Sequence, residues 1–137
     1  MILDEVGSYL EAQGLVGGAT GWPWFQALTP ATPDQCVVLF EAGGEGRPVS
    51  TSDLLGLEQP RFQIKVRGKA LKDDPAAYGT ARAKLQAILD VLHGLTGATF
   101  SSASYPYIFA QGNALPLGLD ENGRPEVVHN FRCAREG

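Results

Sequence analysis

The side chains best suited to chemistry in this chain are His93 and His129, Cys36 and Cys133, and serines at 50, 52, 101, 102 and 104. A transition-metal site needs several such ligands within reach of one ion, and its usual signature is a closely spaced pair of cysteines or histidines. No pair has that spacing, so no metal ligand is assigned. Nucleophilic catalysis needs a base beside an activated hydroxyl or thiol. The serines fall in loop-like sequence without a nucleophile elbow, and neither cysteine precedes a helix start that would lower its pKa. His93 stands at the end of a helical pattern, where positive charge is already favourable. Asp73-Asp74 read as a helix start and Asp120-Glu121 as part of a turn, which leaves no acid pair for proton transfer. Gly43, Gly44 and Gly46 follow a strand, as in a phosphate loop, but no lysine-serine or lysine-threonine pair follows them. The expectation is therefore no catalytic residue, no cofactor and no metal. Trp22, Trp24 and Phe25 could hold a proline-rich peptide or a base, although packing is their simpler use.

The elements that would carry these groups are legible from periodicity. Ile2 to Gln13 places Leu3, Val6, Tyr9 and Leu10 on one helical stripe, with Asp4 and Glu5 in the first turn and Gly14 as a stop. The cluster at 22–25 suits an edge strand, because Pro23 cannot donate to a ladder. Cys36 to Phe40 is an unbroken apolar run of interior-strand type. Arg61 to Arg67 alternates strictly, with Phe62, Ile64 and Val66 on one side. Asp74 and Pro75 open a helix running to about His93, with Tyr78, Ala81, Leu85, Ile88, Leu89 and Leu92 as its apolar stripe. Tyr105 to Ala110 is strand-like, with Pro106 marking an edge or a bulge. An Asn122-Gly123 turn joins Leu115 to Leu119 with a strand over Glu126 to Ala134, in which Val127, His129, Phe131 and Cys133 share a face. The fold class predicted is α+β: two helices packed on a mostly antiparallel sheet of four or five strands. A loop at 41–60 is long for so small a domain, which points to a segment that is either functional or disordered when the protein is alone.

The length of 137 residues fits a single domain spanning 1–137, and a net charge of -4 excludes a histone-like nucleic-acid binder. The sequence contains neither a long apolar span nor a secretory signal pattern, so no membrane partner and a cytoplasmic place of synthesis are expected. The two cysteines, far apart in apolar runs, suit buried thiols rather than a disulfide framework. Charge is unevenly divided: residues 1–60 hold eight acidic side chains and one base, whereas 61–137 hold ten basic and seven acidic ones. Opposite charges on two flanks suit contact between copies. The candidate contact residues are Arg61, Lys65 and Arg67 as an exposed basic face, with Glu45, Asp53 and Glu58 as opposing groups.

The runs ILDEVGSYLEAQG, QCVVLFEAGG, PRFQIKVRG, DPAAYGTARAKLQAILDVLHGL and YPYIFAQGNALPLGLDENGRPEVVHNFRC, in this order over nearly the whole chain, resemble the small tail-terminator (minor capsid or neck) proteins of long-tailed bacteriophages. The resemblance implies a structural virion protein at the tail–head junction, assembled in the host cytoplasm. It also implies a ring, typically hexameric, that caps the tail tube and meets the head-completion or stopper protein. Its partners would be copies of itself, the major tail tube protein, that head-completion protein and, transiently, genomic DNA in the channel. No catalytic residue is carried over. The other readings are a different neck component, a monomeric or dimeric protein-binding module using the 22–25 aromatics, and, more remotely, a hydrolase with a histidine beside a serine or cysteine.

Overall fold

The computed structural model describes residues 2–45, 57–100 and 103–136. The elements follow in the order α1 (Ile2–Ala12), β1 (Trp24–Gln26), β2 (Cys36–Glu45), β3 (Leu57–Arg67), α2 (Ala77–Leu92), β4 (Leu95–Phe100), β5 (Ala103–Leu119) and β6 (Pro125–Glu136). The strands form one sheet in the order β1-β2-β3-β6-β5-β4. Among the described residues only the β1–β2 pair is parallel. The expected class is found, with six strands in place of four or five. The additional strand is β4, whose small and threonine residues (Thr96, Gly97, Ala98, Thr99) carry no strong apolar alternation.

Both helices cover one face of the sheet. The alternating residues of β3 (Phe62, Ile64, Val66) and β6 (Val127, Phe131, Cys133) enter one core with Leu3, Val6 and Leu10 of α1 and Ala81, Leu85, Ile88 and Leu92 of α2. Phe62 and Phe131 are direct cross-strand partners and stack at 5.1 Å between ring centroids. Tyr9, Phe100 and Tyr105 form a second aromatic row joining α1 to β4 and β5. Tyr78, placed on the apolar stripe by its spacing, is 43% exposed and lies off the core. The helix begins at Ala77 rather than Pro75. Asp74 still organises the entry, because its side chain accepts the Ala76 N–H and its carbonyl accepts that of Ala77.

Trp22 and Trp24 serve packing. Trp22 is buried, and a β-carbon on Gly7 would fall 2.2 Å from the Trp24 ring, so only glycine in α1 lets that indole lie flat against the helix. Trp24 Nε1–H donates to Glu11 at 3.0 Å, locking the edge strand β1 to α1. Of the three aromatics of the binding-module reading, only Phe25, half-buried in β1, lies outside this packing.

Two other loop expectations change. Glu41–Glu45 continues β2 and 57–60 already belongs to β3, so the 41–60 loop contracts. Its remaining residues, 46–56, lie outside the described residues. The two short runs after α2 are a single strand, β5, whose prolines and glycines are absorbed as register shifts at 104–107, 111–115 and 116–118. The β5–β6 turn is built around Asp120, whose carboxylate accepts N–H groups of Asn122 and Arg124 and the Arg124 guanidinium, while Gly123 takes φ 75°.

Candidate functional site

The sheet has two half-open sides. On one, β4 pairs with β5 only between Ala103 and Ile108. From Phe109 to Leu119 the outer edge of β5 has no strand partner among the described residues, apart from His93 Nδ1, which accepts the Ala110 N–H at 2.9 Å. That stretch also carries Leu115, Leu117 and Leu119, at 57%, 50% and 55% exposure. On the other side, β1 covers only Val37 to Leu39 of β2, so Phe40 to Glu45 is unpaired on its outer edge among the described residues. An unpaired edge with apolar side chains is a template for another strand unless something blocks it.

The candidate contact residues divide. Arg61 is exposed on the helix-free face. Lys65 shares that face but is tied to Glu126 at 3.2 Å across β3–β6. Arg67 is not exposed: it is 2% accessible and donates through Nε and Nη2 to the carbonyls of Asp34 and Pro33. The alternation correctly gives its side of the strand, but the segment before β2 folds over that end of the face. Arg124, also buried, fastens the same segment through the Ala31 carbonyl and Asp34. Glu58 is bound within the chain to Arg135 at 3.1 Å. Glu45 ends β2, with its side chain outside the described residues, and Asp53 lies outside them altogether.

A buried charge network went unread in the sequence. Glu5 of α1, 7% accessible, accepts from Arg135 Nε at 2.8 Å and Nη2 at 2.7 Å and from the Tyr105 hydroxyl at 2.5 Å. The Arg135 hydrogen bonds outweigh burial and hold the Glu5 carboxyl down at about 2. The Arg135 guanidinium is correspondingly raised by its bonds to Glu5, and Tyr105 is raised chiefly by burial. The available signal was Arg135 itself, which falls on the same phase of β6 as Val127, Phe131 and Cys133.

His129 and the two thiols are placed for packing, whereas His93 is exposed. Burial pushes Cys133 to about 12 and raises Cys36, so both stay protonated, unpaired and buried. His129, 4% accessible, has its pKa lowered by burial and contacts the Gly112 carbonyl through Nε2 at 3.1 Å. It borders a cavity of about 290 Å³ between α2 and β5–β6 that also meets Arg82 and His93, and no serine, cysteine or carboxylate is among its lining residues. Among the described residues no cluster of three or more His, Cys, Asp or Glu side chains could hold a metal ion.

The sequence pattern of the bacteriophage tail terminator proteins matches residues 9–136, nearly the whole chain. The chain belongs to that family. Proteins of this family are structural components of the phage tail rather than catalysts, so this chain is a tail-associated structural virion protein. Its fold is also similar to that of a chain from the virion of a native gene transfer agent particle, at 22% identity and a TM-score of 0.67, covering 96% of the terminator and 92% of that chain. No curated protein sequence matches the terminator.

Proposed function

We propose that the chain acts as a closed, hexameric ring of its own copies that caps the tail tube, joins it to the head-completion complex and lets the genome pass through its channel. The observation that carries this reading is the pair of half-open sheet sides. β2 and β5 run in opposite directions, since three antiparallel pairings separate them. Setting the free part of β5 in one copy against the free part of β2 in the next therefore continues the antiparallel order. The contact joins two different surfaces, so it is heterologous, and a heterologous contact closes into a ring when its rotation permits. Leu115 aligns through Val128 and Lys65 with Val38, whereas the open part of β2 begins at Phe40. Neighbouring sheets would thus join with a stagger along the strands. The exposed leucines supply apolar area at the seam, and repetition around a closed ring makes each weak contact effective.

Sedimentation and native mass across a concentration series, alone and with tail tubes, test this directly. The expected result is closed particles of one size, in solution or at tube ends. A single-copy species in both settings contradicts it.

A further inference from the structure

The helix-free face holds a charge arrangement that no ion pair among the described residues neutralises. Arg61 of β3 and Arg132 of β6 are direct cross-strand partners. Like charges placed opposite one another destabilise a sheet pair. Among the described residues neither guanidinium has a carboxylate partner. Arg132 rests instead over the Phe109 ring, 5.2 Å from its centroid. The neighbouring row on this face is Gln63, Asn130 and Gln111, aligned across β3, β6 and β5. With Arg61 and Ala42 these amides border a shallow depression of about 230 Å³ that contains no acidic side chain. Lys65 in the next row is already neutralised by Glu126.

We propose that the Arg61–Arg132 pair and the amide row beside it form a strip that contacts the phosphodiester backbone of duplex DNA. The inference rests on the ring reading in one respect, namely that DNA passes along this face. Guanidinium and amide donors suit phosphate oxygens, which carry no sequence information, so the contact is independent of sequence. Two cations per copy give a shallow attraction that steers DNA without arresting it, because phosphate affinity and its salt dependence grow with the number of contacts.

Fluorescence anisotropy of a labelled random-sequence duplex, from about 20 to 200 mM salt, reads the contact as a slope of log affinity against log salt. For Arg61→Gln/Arg132→Gln the slope should fall by about two relative to the natural chain, with affinity at about 50 mM salt dropping at least tenfold. A control variant, Lys69→Gln/Lys72→Gln, makes the same charge change in the exposed segment before α2 and should keep the slope. An unchanged slope in the arginine variant, an equal loss in the control, or no binding by the natural chain at low salt overturns the proposal. Thermal unfolding establishes that each variant is folded, and sedimentation of the same samples separates the two readings. An arginine-dependent slope in a chain that stays single-copy both alone and with tail tubes sustains the strip and overturns the ring, whereas rings with no such slope do the reverse.

Discussion

Replacing Glu5 with glutamine tests the account of what anchors α1 to the sheet. The carboxylate is nearly inaccessible, receives two guanidinium hydrogen bonds and one phenolic one, and sits at about 2 against an ordinary 4.5. A difference of that size corresponds to about 3 kcal/mol between the charged and neutral forms. Glutamine keeps the shape and removes the charge, leaving Arg135 with the half-exposed Glu58 as its ion-pair partner. Breaking a buried pair from one side costs about 3–5 kcal/mol, a large share of the roughly 5–15 kcal/mol that holds a domain folded. Because the folded-state pKa is depressed, the contribution is complete above the unfolded value near 4.5 and is lost as pH falls toward about 2. Urea unfolding of both proteins between about pH 2 and pH 7 should show a gap of about 3 kcal/mol at neutral pH that narrows steadily below about pH 4.5. A neutral-pH gap under about 1 kcal/mol, or one that stays constant down to the acid limit, refutes the reasoning.

Other substitutions separate assembly from folding. Each of Leu115, Leu117 and Leu119 has about half its surface left to bury, worth about 1 kcal/mol apiece. Changing all three to lysine should weaken assembly more than a hundredfold per contact, read by sedimentation, while the isolated chain melts within a few degrees of the natural one. Leu85→Ala or Ile88→Ala should instead cost the single chain about 2–5 kcal/mol in chemical unfolding, since both are buried in the core. Arg67→Met should lower single-chain stability by about 2–4 kcal/mol through loss of its two carbonyl bonds, whereas Lys65→Met should cost no more than about 1 kcal/mol.

Periodicity made α1, α2, β3 and the β5–β6 hairpin legible, because each buries one face and so writes its period into the residue types. Tyr78 shows where that signal stops: it keeps the helical spacing of the stripe, yet it lies off the core and partly exposed. β4 was hidden for a different reason, since pairing to β5 through backbone hydrogen bonds asks little of Thr96 to Thr99. The half-open edges were equally hidden, because an edge is a property of which strands are absent beside it. Among the charged residues, alternation told which side of β3 Arg61, Lys65 and Arg67 occupy. It did not reveal that the segment before β2 covers Arg67 or that Glu126 neutralises Lys65. Arg61 alone of the three stays exposed, and its significance appears only once Arg132 is seen directly opposite.

The central claim is that this domain works through repeated contact with its own copies at the end of a tail tube. Electron microscopy of growing tail tubes, imaged with and without the added protein, tests it most directly. The account predicts one ring of additional density at a single end of each tube, and tubes that stop lengthening once it is present. Tubes that keep growing with bare ends in excess protein would contradict it.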